Sequence, residues 1–335
     1  MNESRLRGFR VEAGLTQGEL AARAGVSRQL VGAVEVGRHL PRVDTGLALA
    51  AALGVDVQRL FGSDDLASDV VSGLTPKEGS AVRLGWVGDR IVTAPARIGG
   101  DGWEAADAVV EGGRVVTFGD VNSGAVVAGC EPGLETLEHL LRQGGSGAVA
   151  VATSSGAALD ALIAGRVHAA VVHGPAGALP EVPPDTAVVR FRLTGWRVGL
   201  GIPPDIGSPS WWQRVLDGEL AVVQREPGAA VQRTFEEAVG AATTAGPRVG
   251  GHVGAARHGM AAGLPAVTIE PAALAVGGGF HPLDRHEAQL WVGEQWKTER
   301  GVEQVMDLIA SSRFRRRLET VGGYDLDRIG SRVAS

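Results

Sequence analysis

The chain holds one cysteine among 335 residues. A single thiol cannot build a disulfide framework or a Cys-based zinc site. Aromatic residues make up 4%, with one tyrosine, and the only lysines are Lys77 and Lys297, so nearly all positive charge is arginine. No apolar run reaches the roughly 18 residues of a membrane span. The opening Met1-Asn2-Glu3-Ser4-Arg5 lacks the apolar core of a signal peptide. These absences predict a cytoplasmic protein. What remains is 44% hydrophobic and 21% charged, with mean hydropathy +0.07. That suits two or three globular units, each with its own core. The 50 glycines and 16 prolines lack the period of collagen and the monotony of a linker.

The formal charge of −6 argues against a nucleic-acid partner until it is divided along the chain. Residues 1–62 carry eight arginines against six acids, +2, which leaves −8 for the rest. A small basic head on a larger acidic body points to a nucleic-acid module joined to something else.

The head reads as short helices separated by glycines. Leu6, Phe9 and Ala13 share a face before Gly14. Thr16 with Glu19 three residues on is a capping box for a helix over 16–24, and Gly25 supplies the turn. Ser27 caps a helix to about Val36, with Leu30, Val31 and Val34 on one face; Gly37 and Pro41 end it. A helix over 44–53 offers Leu47, Leu49, Ala50 and Leu53, and a last short one carries Val57, Leu60 and Phe61. Helix, glycine turn, helix is the helix-turn-helix order. Ala21 stands where the two helices cross closely. Ser27, Arg28 and Gln29 then open the helix that can face base edges, where Arg pairs guanine and Gln pairs adenine.

On Arg10, Gly14-Leu15-Thr16-Gln17, Leu20-Ala21, Ala24-Gly25-Val26-Ser27-Arg28-Gln29, Glu35-Val36-Gly37, Pro41, Leu53-Gly54-Val55 and Leu60-Phe61, the head resembles the Cro/repressor-like (xenobiotic response element) helix-turn-helix family. The resemblance implies an all-α domain that binds double-stranded DNA as a homodimer. It implies Gln17 on a phosphate or base edge, Ser27, Arg28 and Gln29 in the major groove, and Arg38 and Arg42 on phosphates. Ala33-Val34-Glu35 carries no basic residue late in the helix, so base contacts should be few. The alternative is a helical interaction domain without DNA.

The domains expected are 1–63 for the head, a polar, Gly-containing linker over 64–80, and a body over 81–335. In the body, segments 82–86 and 90–94 flank Gly88-Asp89, and 109–110 and 115–118 flank Gly112-Gly113, two hairpin signals. Strands at 124–130, 148–152 and 169–173 alternate with helices at 134–142 and 155–164. That alternation predicts a parallel sheet with covering helices. A second cycle has extended segments at 187–193, 196–202, 221–224, 266–269 and 289–293, with helices at 210–217, 231–242, 252–261, 271–276, 302–311 and 313–318. Two α/β halves suggest a bilobal body, lobe 1 near 81–190 and 290–335, lobe 2 near 191–289. Ligands of such folds sit at the carboxyl ends of the strands. Two strand-to-helix loops suit a polar or anionic ligand: Ala152-Thr153-Ser154-Ser155-Gly156 and Gln224-Arg225-Glu226-Pro227-Gly228-Ala229-Ala230. Each alone could be ordinary capping and turn chemistry; one in each half favours a site.

On Ala128-Gly129-Cys130-Glu131-Pro132, Ser154-Ser155-Gly156-Ala157-Ala158-Leu159, Arg225-Glu226-Pro227-Gly228, Gly251-His252-Val253, Gly279-Phe280-His281-Pro282-Leu283 and Gly323-Tyr324-Asp325, the body resembles the PBP-like family, related to type II periplasmic binding proteins of the molybdate-binding kind. The resemblance implies an α/β bilobal type II periplasmic-binding-protein-like domain that closes on a small molecule. Cys130, Glu131, Thr153, Ser154, Ser155, Gly156, Arg225, Gly228 and His252 are the expected ligand residues, with Thr268 another polar group. Ala229-Ala230 replace the family's hydroxyls, and an aspartate usual before the later strand is absent. This leaves open a ligand less polar than an oxyanion, or a pocket that has lost its ligand.

Cys130 at a strand end reads as a buried structural thiol or as a ligand or redox residue. The pairs His252/His258 and His281/His286 lack helical spacing and there is no HExxH, so no metal and no cofactor are expected. Trp196, Trp211, Trp212, Trp291 and Trp296 read as packing, with one or two able to stack a flat ligand. Arg313, Arg315, Arg316 and Arg317 read as a solvated helix face. No nucleophile elbow, P-loop or dinucleotide fingerprint occurs. The leading expectation is a one-component transcriptional regulator, not an enzyme, controlled by a small-molecule effector such as a molybdate-like oxyanion or metabolite. The alternatives are a ligand-independent DNA-binding protein whose body only oligomerises, and a DNA-tethered enzyme.

Overall fold

The computed structural model describes residues 5–36, 38–39, 41–55, 57–61, 68–96, 98–99, 102–103, 106–112, 114–118, 124–206, 210–240 and 245–333. Gly37, the start of the expected linker (64–67) and residues 241–242 lie outside them. The chain forms two compact units, one of Met1–Val126, Arg142–Val149 and Ala164–Val167, the other of Val127–Leu141, Ala150–Ile163 and His168–Ser335.

Five helices open the first unit: α1 (Arg5–Glu12), α2 (Gln17–Ala24), α3 (Arg28–Glu35), α4 (Val43–Leu53) and α5 (Val57–Phe61). The expected caps form. Thr16 Oγ1 accepts from Glu19 N, Glu19 Oε2 accepts from Thr16 N, and Ser27 Oγ accepts from Leu30 N. Gly25 takes φ +66°, which glycine adopts without a Cβ penalty. Leu6, Phe9, Leu20, Ala21, Val31, Val34, Leu49 and Leu60 make the core. Leu47, expected in it, is 52% exposed. At 100° per residue it points away from the face of Gly46, Leu49 and Ala50, which are buried.

A polar latch crosses this core. Glu35 is 2% exposed. It accepts Arg10 Nε at 2.5 Å and Nη2 at 3.2 Å, and Gln17 Nε2 at 2.8 Å. Arg10 Nη1 also donates to Leu15 O. One carboxylate thus ties α1, α2 and α3 together.

Beyond the helices, β1 (Ser68–Asp69), β2 (Ala81–Val87), β3 (Arg90–Pro95), β6 (Ala108–Glu111) and β7 (Arg114–Thr117) form a sheet in the order β1-β3-β2-β6-β7; β4 (Ile98–Gly99) and β5 (Gly102–Trp103) pair separately. Both expected hairpins are present, β2–β3 and β6–β7. Residues 68–80, expected as linker, are instead tied down. β1 pairs with β3, Val70 is buried, and Arg166 donates to the carbonyls of Val70 and Val71. A polar composition concealed two backbone carbonyls already claimed by a distant arginine.

The second sheet runs β12-β11-β13-β10-β8-β9, with β14 on β11. Its strands are β8 (Val126–Gly129), β9 (Val149–Ala152), β10 (Ala169–Pro175), β11 (Val188–Ile202), β12 (Ala266–Ile269), β13 (Gly279–Gly293) and β14 (Tyr324–Asp325). The helices are α6 (Gly133–Gln143), α7 (Ser155–Ile163), α8 (Trp211–Leu216), α9 (Ala230–Val239), α10 (His252–Ala262), α11 (Glu270–Ala275), α12 (Arg300–Ile309) and α13 (Ser312–Glu319). The α/β class is as expected, but the sheet is mixed. β8 and β10 are parallel, while β13 is antiparallel to both β10 and β11. The expected strand 289–293 is the apolar end of a strand that starts at Gly279. Its first half carries Asp284, Arg285, His286 and Glu287 and lacks a hydrophobic signal. Pro282 is accommodated where the ladder shifts at Val198/Gly199, since proline cannot donate to a regular ladder. A Cβ on Gly199 would stand 2.0 Å from His281 O, so only glycine fits there. Segment 221–224 makes isolated bridges, Val223 to Ala266 and Gln224 to Arg248. The expected lobe limits at 190 and 289 fall inside the unbroken strands β11 and β13. Trp196 and Trp291 are core residues, and Arg313, Arg315, Arg316 and Arg317 form an exposed face.

Glu35→Ala leaves Arg10 without its carboxylate in a nearly closed site. The helical domain should lose about 3 kcal/mol of unfolding free energy, read by denaturant titration of the full chain at far-ultraviolet dichroism. Arg10→Met with Glu35→Leu should recover most of it.

Candidate functional site

Two faces carry the expected site residues. On the helical domain, Ser27, Arg28 and Gln29 stand at the exposed start of α3, and Arg38 and Arg42 are exposed beyond its end. Ser27 is occupied in part as the cap of α3. Gln17 is half-buried, and its amide nitrogen donates to Glu35. That bond orients Gln17 beside α3, where a Cβ on Gly32 would stand 3.8 Å from it. A bulkier residue at 32 would press on this glutamine.

The second face is a cavity of about 540 Å³ in the second unit. Cys130, Ser154, Ser155, Gly156, Arg225, Gly228 and His252 line it, from both expected loops, the end of β8 and the start of α10. Glu131 and Thr153 are not among the lining residues. Glu131 is 3% exposed and accepts from Gly133 N, Thr194 Oγ1 and Tyr324 OH. It clamps the end of β8 to β11 and β14, and burial pushes its carboxyl up. Thr153 N donates to Gly129 O. Thr268 Oγ1 donates to His252 O at the base of α10. The sequence reading missed His173, Glu226 as a site residue, and Arg233, all in the wall. His173 lies in β10, a place that spacing along one helix does not test.

Three helices begin at this cavity: α7 at Ser155, α9 at Ala230 and α10 at His252. Their unpaired N–H groups and dipoles favour negative charge. The serines act in the same sense. Ser154 Oγ accepts from Ala157 N, and Ser155 Oγ accepts from His173 N, so each hydroxyl hydrogen is left to donate.

Arg225 fixes the rest. It is 1% exposed. Its Nε and Nη2 donate to Glu226 at 3.0 and 2.8 Å, and its Nη1 donates to His252 Nδ1 at 2.7 Å. A guanidinium stays protonated, so Nδ1 must be the acceptor. Neutral His252 therefore carries its proton on Nε2, 3.0 Å from Cys130 Sγ. Burial holds His252 well below the ordinary imidazole range, and the Arg225 charge adds to this. Burial also pushes the Cys130 thiol up to about 11. Burial raises the Glu226 carboxyl, but the Arg225 bonds outweigh it and the net shift is downward. Deeper in the wall, His173 Nδ1 lies 3.3 Å from His286 Nδ1. Burial holds His173 down to about 3 and His286 down to about 4.

A helix-turn-helix family model matches residues 6–60, and a PBP superfamily domain model matches residues 137–310, just over half of the chain. The chain belongs to the PBP superfamily and carries a helix-turn-helix domain. Both expected resemblances are thereby borne out. An uncharacterized HTH-type transcriptional regulator of Methanothermobacter thermautotrophicus is 49% identical over 61 residues, 18% of this chain and 88% of that one. The immunity repressor protein of Bacillus phage phi105 is 34% identical over 74 residues, 22% of this chain. The chain spans about half, 51%, of that repressor. Among solved structures, a phosphate ABC transporter substrate-binding protein from Clostridium perfringens is 12% identical, covers 60% of this chain and 98% of its own, and has a TM-score of 0.46. No helix among the described residues is long and apolar enough to cross a membrane.

The buried neutral histidines set a pH dependence. An unfolded histidine titrates near about 6.5, whereas His173 and His286 stay neutral in the fold down to about 3 and 4. Between those values the unfolded chain binds more protons. Stability is full above about pH 6.5 and is lost as pH falls, at up to about 1.4 kcal/mol per pH unit for each histidine. Unfolding of the His286→Leu variant should show a shallower loss between pH 6.5 and 4.5 than the parent.

Proposed function

We propose that this protein is a one-component transcriptional regulator. The helical domain binds double-stranded DNA as a homodimer, and the PBP domain binds a small anionic effector that controls it. The observation that carries the effector reading is the sign of the cavity. Three helix N-termini, two serine hydroxyls and Arg225 all present donors or positive potential. Glu226, the one carboxylate among the described residues of the wall, is engaged by Arg225. Such a lining suits an oxyanion or a small carboxylate. Helix-turn-helix relatives described as transcriptional regulators support the DNA reading.

On the DNA side, Arg28 and Gln29 would read base edges, Ser27 and Gln17 would contact phosphate or base, and Arg38 and Arg42 would hold phosphates. Effector binding would act by preferring one of two states of the dimer. Chemistry on a substrate fits the cavity less well. His252 donates toward Cys130 instead of accepting from it, and the thiol is raised, so the pair lacks both an activated nucleophile and its base.

Fluorescence anisotropy on the promoter DNA of its own gene should show binding that weakens steeply with salt. Arg28→Ala should cost about tenfold or more, by about 1–3 kcal/mol for one base-reading arginine. Arg38→Ala should weaken all sequences alike and lower the salt slope by about one. No salt-dependent binding to that DNA would remove the DNA reading. For the effector, thermal unfolding with molybdate, tungstate, sulfate and small dicarboxylates should rise with at least one of them. Ser154→Ala with Ser155→Ala should abolish that rise. A response that survives both substitutions would mean that the site lies elsewhere.

A further inference from the structure

The effector reading rests on the donors in the cavity wall. The softest groups in that wall point to a second, independent ligand. Cys130 follows β8, His173 lies in β10, and His252 opens α10; each offers a ligand atom within 4.8 Å of the other two. Three elements deliver them, so no spacing in the sequence announced the cluster.

The three do not play equal parts. A metal on His252 Nε2 would need the lone pair there and would move the ring proton to Nδ1. That proton would then face Arg225 Nη1, itself a donor 2.7 Å away. His252 is therefore excluded as a ligand while Arg225 holds it. Its Nε2–H points at Cys130 Sγ from 3.0 Å, where it can stabilise a thiolate. His173 has the opposite surroundings. Its Nδ1 meets His286 Nδ1 at 3.3 Å, so Nδ1–H can donate there and leave Nε2 with its lone pair.

We propose that Cys130 and His173 bind a soft monovalent cation, Cu(I) in the cell, in a two-coordinate sulfur–metal–nitrogen arrangement, with His252 donating to the sulfur. Bond lengths of about 2.3 Å to sulfur and about 2.0 Å to nitrogen give a linear span of about 4.3 Å. One ligand atom from each residue lies within 4.8 Å of the others, close enough for side-chain adjustment to reach that span. On binding, the Cys130 S–H bond breaks, its proton leaves to solvent, and a sulfur–metal bond forms; no electron is transferred. Charge selects the ion. Thiolate and monovalent cation sum to zero, Arg225 is balanced by Glu226, the one carboxylate among the described wall residues, and Arg233 already adds a positive charge to that wall. A divalent ion would leave an unmatched positive charge in a buried place beside Arg225. Thiolate with imidazole also favours a soft ion over a hard one.

The test uses the reduced full chain without oxygen. Cu(I), buffered by a competing bathocuproine chelator, should bind at one equivalent. His173→Gln should weaken it at least tenfold, and Cys130→Ser should abolish it. On the unaltered protein, Ag(I) but not Zn(II) should protect the chain's one cysteine from iodoacetamide, and the copper absorption edge should report two-coordinate Cu(I). Equal protection by Zn(II), equal Cu(I) affinity in His173→Gln, or a three-coordinate edge would overturn the proposal. Thermal shifts with the anion panel, run on Cys130→Ser, separate the two ligands. A retained anion response beside absent Cu(I) binding in the parent removes the metal site alone. Cu(I) binding without any anion response removes the anionic effector alone.

Discussion

Arg225 donates to His252 Nδ1 and to both oxygens of Glu226, and the chemistry of the cavity follows from the direction of those protons. Because a guanidinium does not give up a proton, His252 has one tautomer available, and its Nε2–H faces Cys130. A charge buried this deeply requires a partner. Glu226 supplies it from the next position in the chain, so the pair is made locally and does not depend on how distant segments arrive. The backbone is held as firmly: Arg225 N donates to Gln232 Oε1, and Arg248 donates to Arg225 O. One side chain thus sets the polarity of the site, the tautomer of one histidine and the path of the segment leading into α9.

The helical domain contains a smaller counterpart. Glu35 there receives Arg10 and Gln17 and so sets the relation of three helices. In each unit a buried charge gathers hydrogen-bond partners, donors around Glu35 and acceptors around Arg225. The apolar side chains packed around them leave orientation less strictly determined. Buried polar groups are costly when unmatched, which makes their geometry more specific than that of leucine against leucine.

Local signals were legible in the sequence and distant ones were not. The caps at Thr16 and Ser27, the turn at Gly25 and both hairpins depend on residues within four positions of each other, and each formed where expected. The two strand-to-helix loops were also visible, because hydroxyls and glycines at a helix start have a local reason to be there. Glu131 was expected as a ligand residue from the family resemblance, and it does not line the cavity. Its real partners, Thr194 and Tyr324, lie 63 and 193 positions away. His173 was missed for the complementary reason: it sits in an apolar strand and gains meaning only from His252 and His286, which arrive on other elements. The first half of β13 was hidden by its charge, since one side of that ribbon is solvated.

The long ribbon of β11 and β13 also orders events in time. Its partners range from Ile202 with Gly279 to Val188 with Gly293, separations of 77 to 105 positions. Closing such loops is slow compared with assembling neighbouring helices. The core of the helical domain runs from Leu6 to Leu60, ahead of the sheet in the chain, so it can fold while the ribosome is still making the sheet. β11 then emerges with one edge unpaired until β13 follows. The interval is a period in which a nascent edge strand is open to wrong partners, and the charged half of β13, with Pro282 and the bulge opposite, gives the pair a register that an arbitrary strand could not copy.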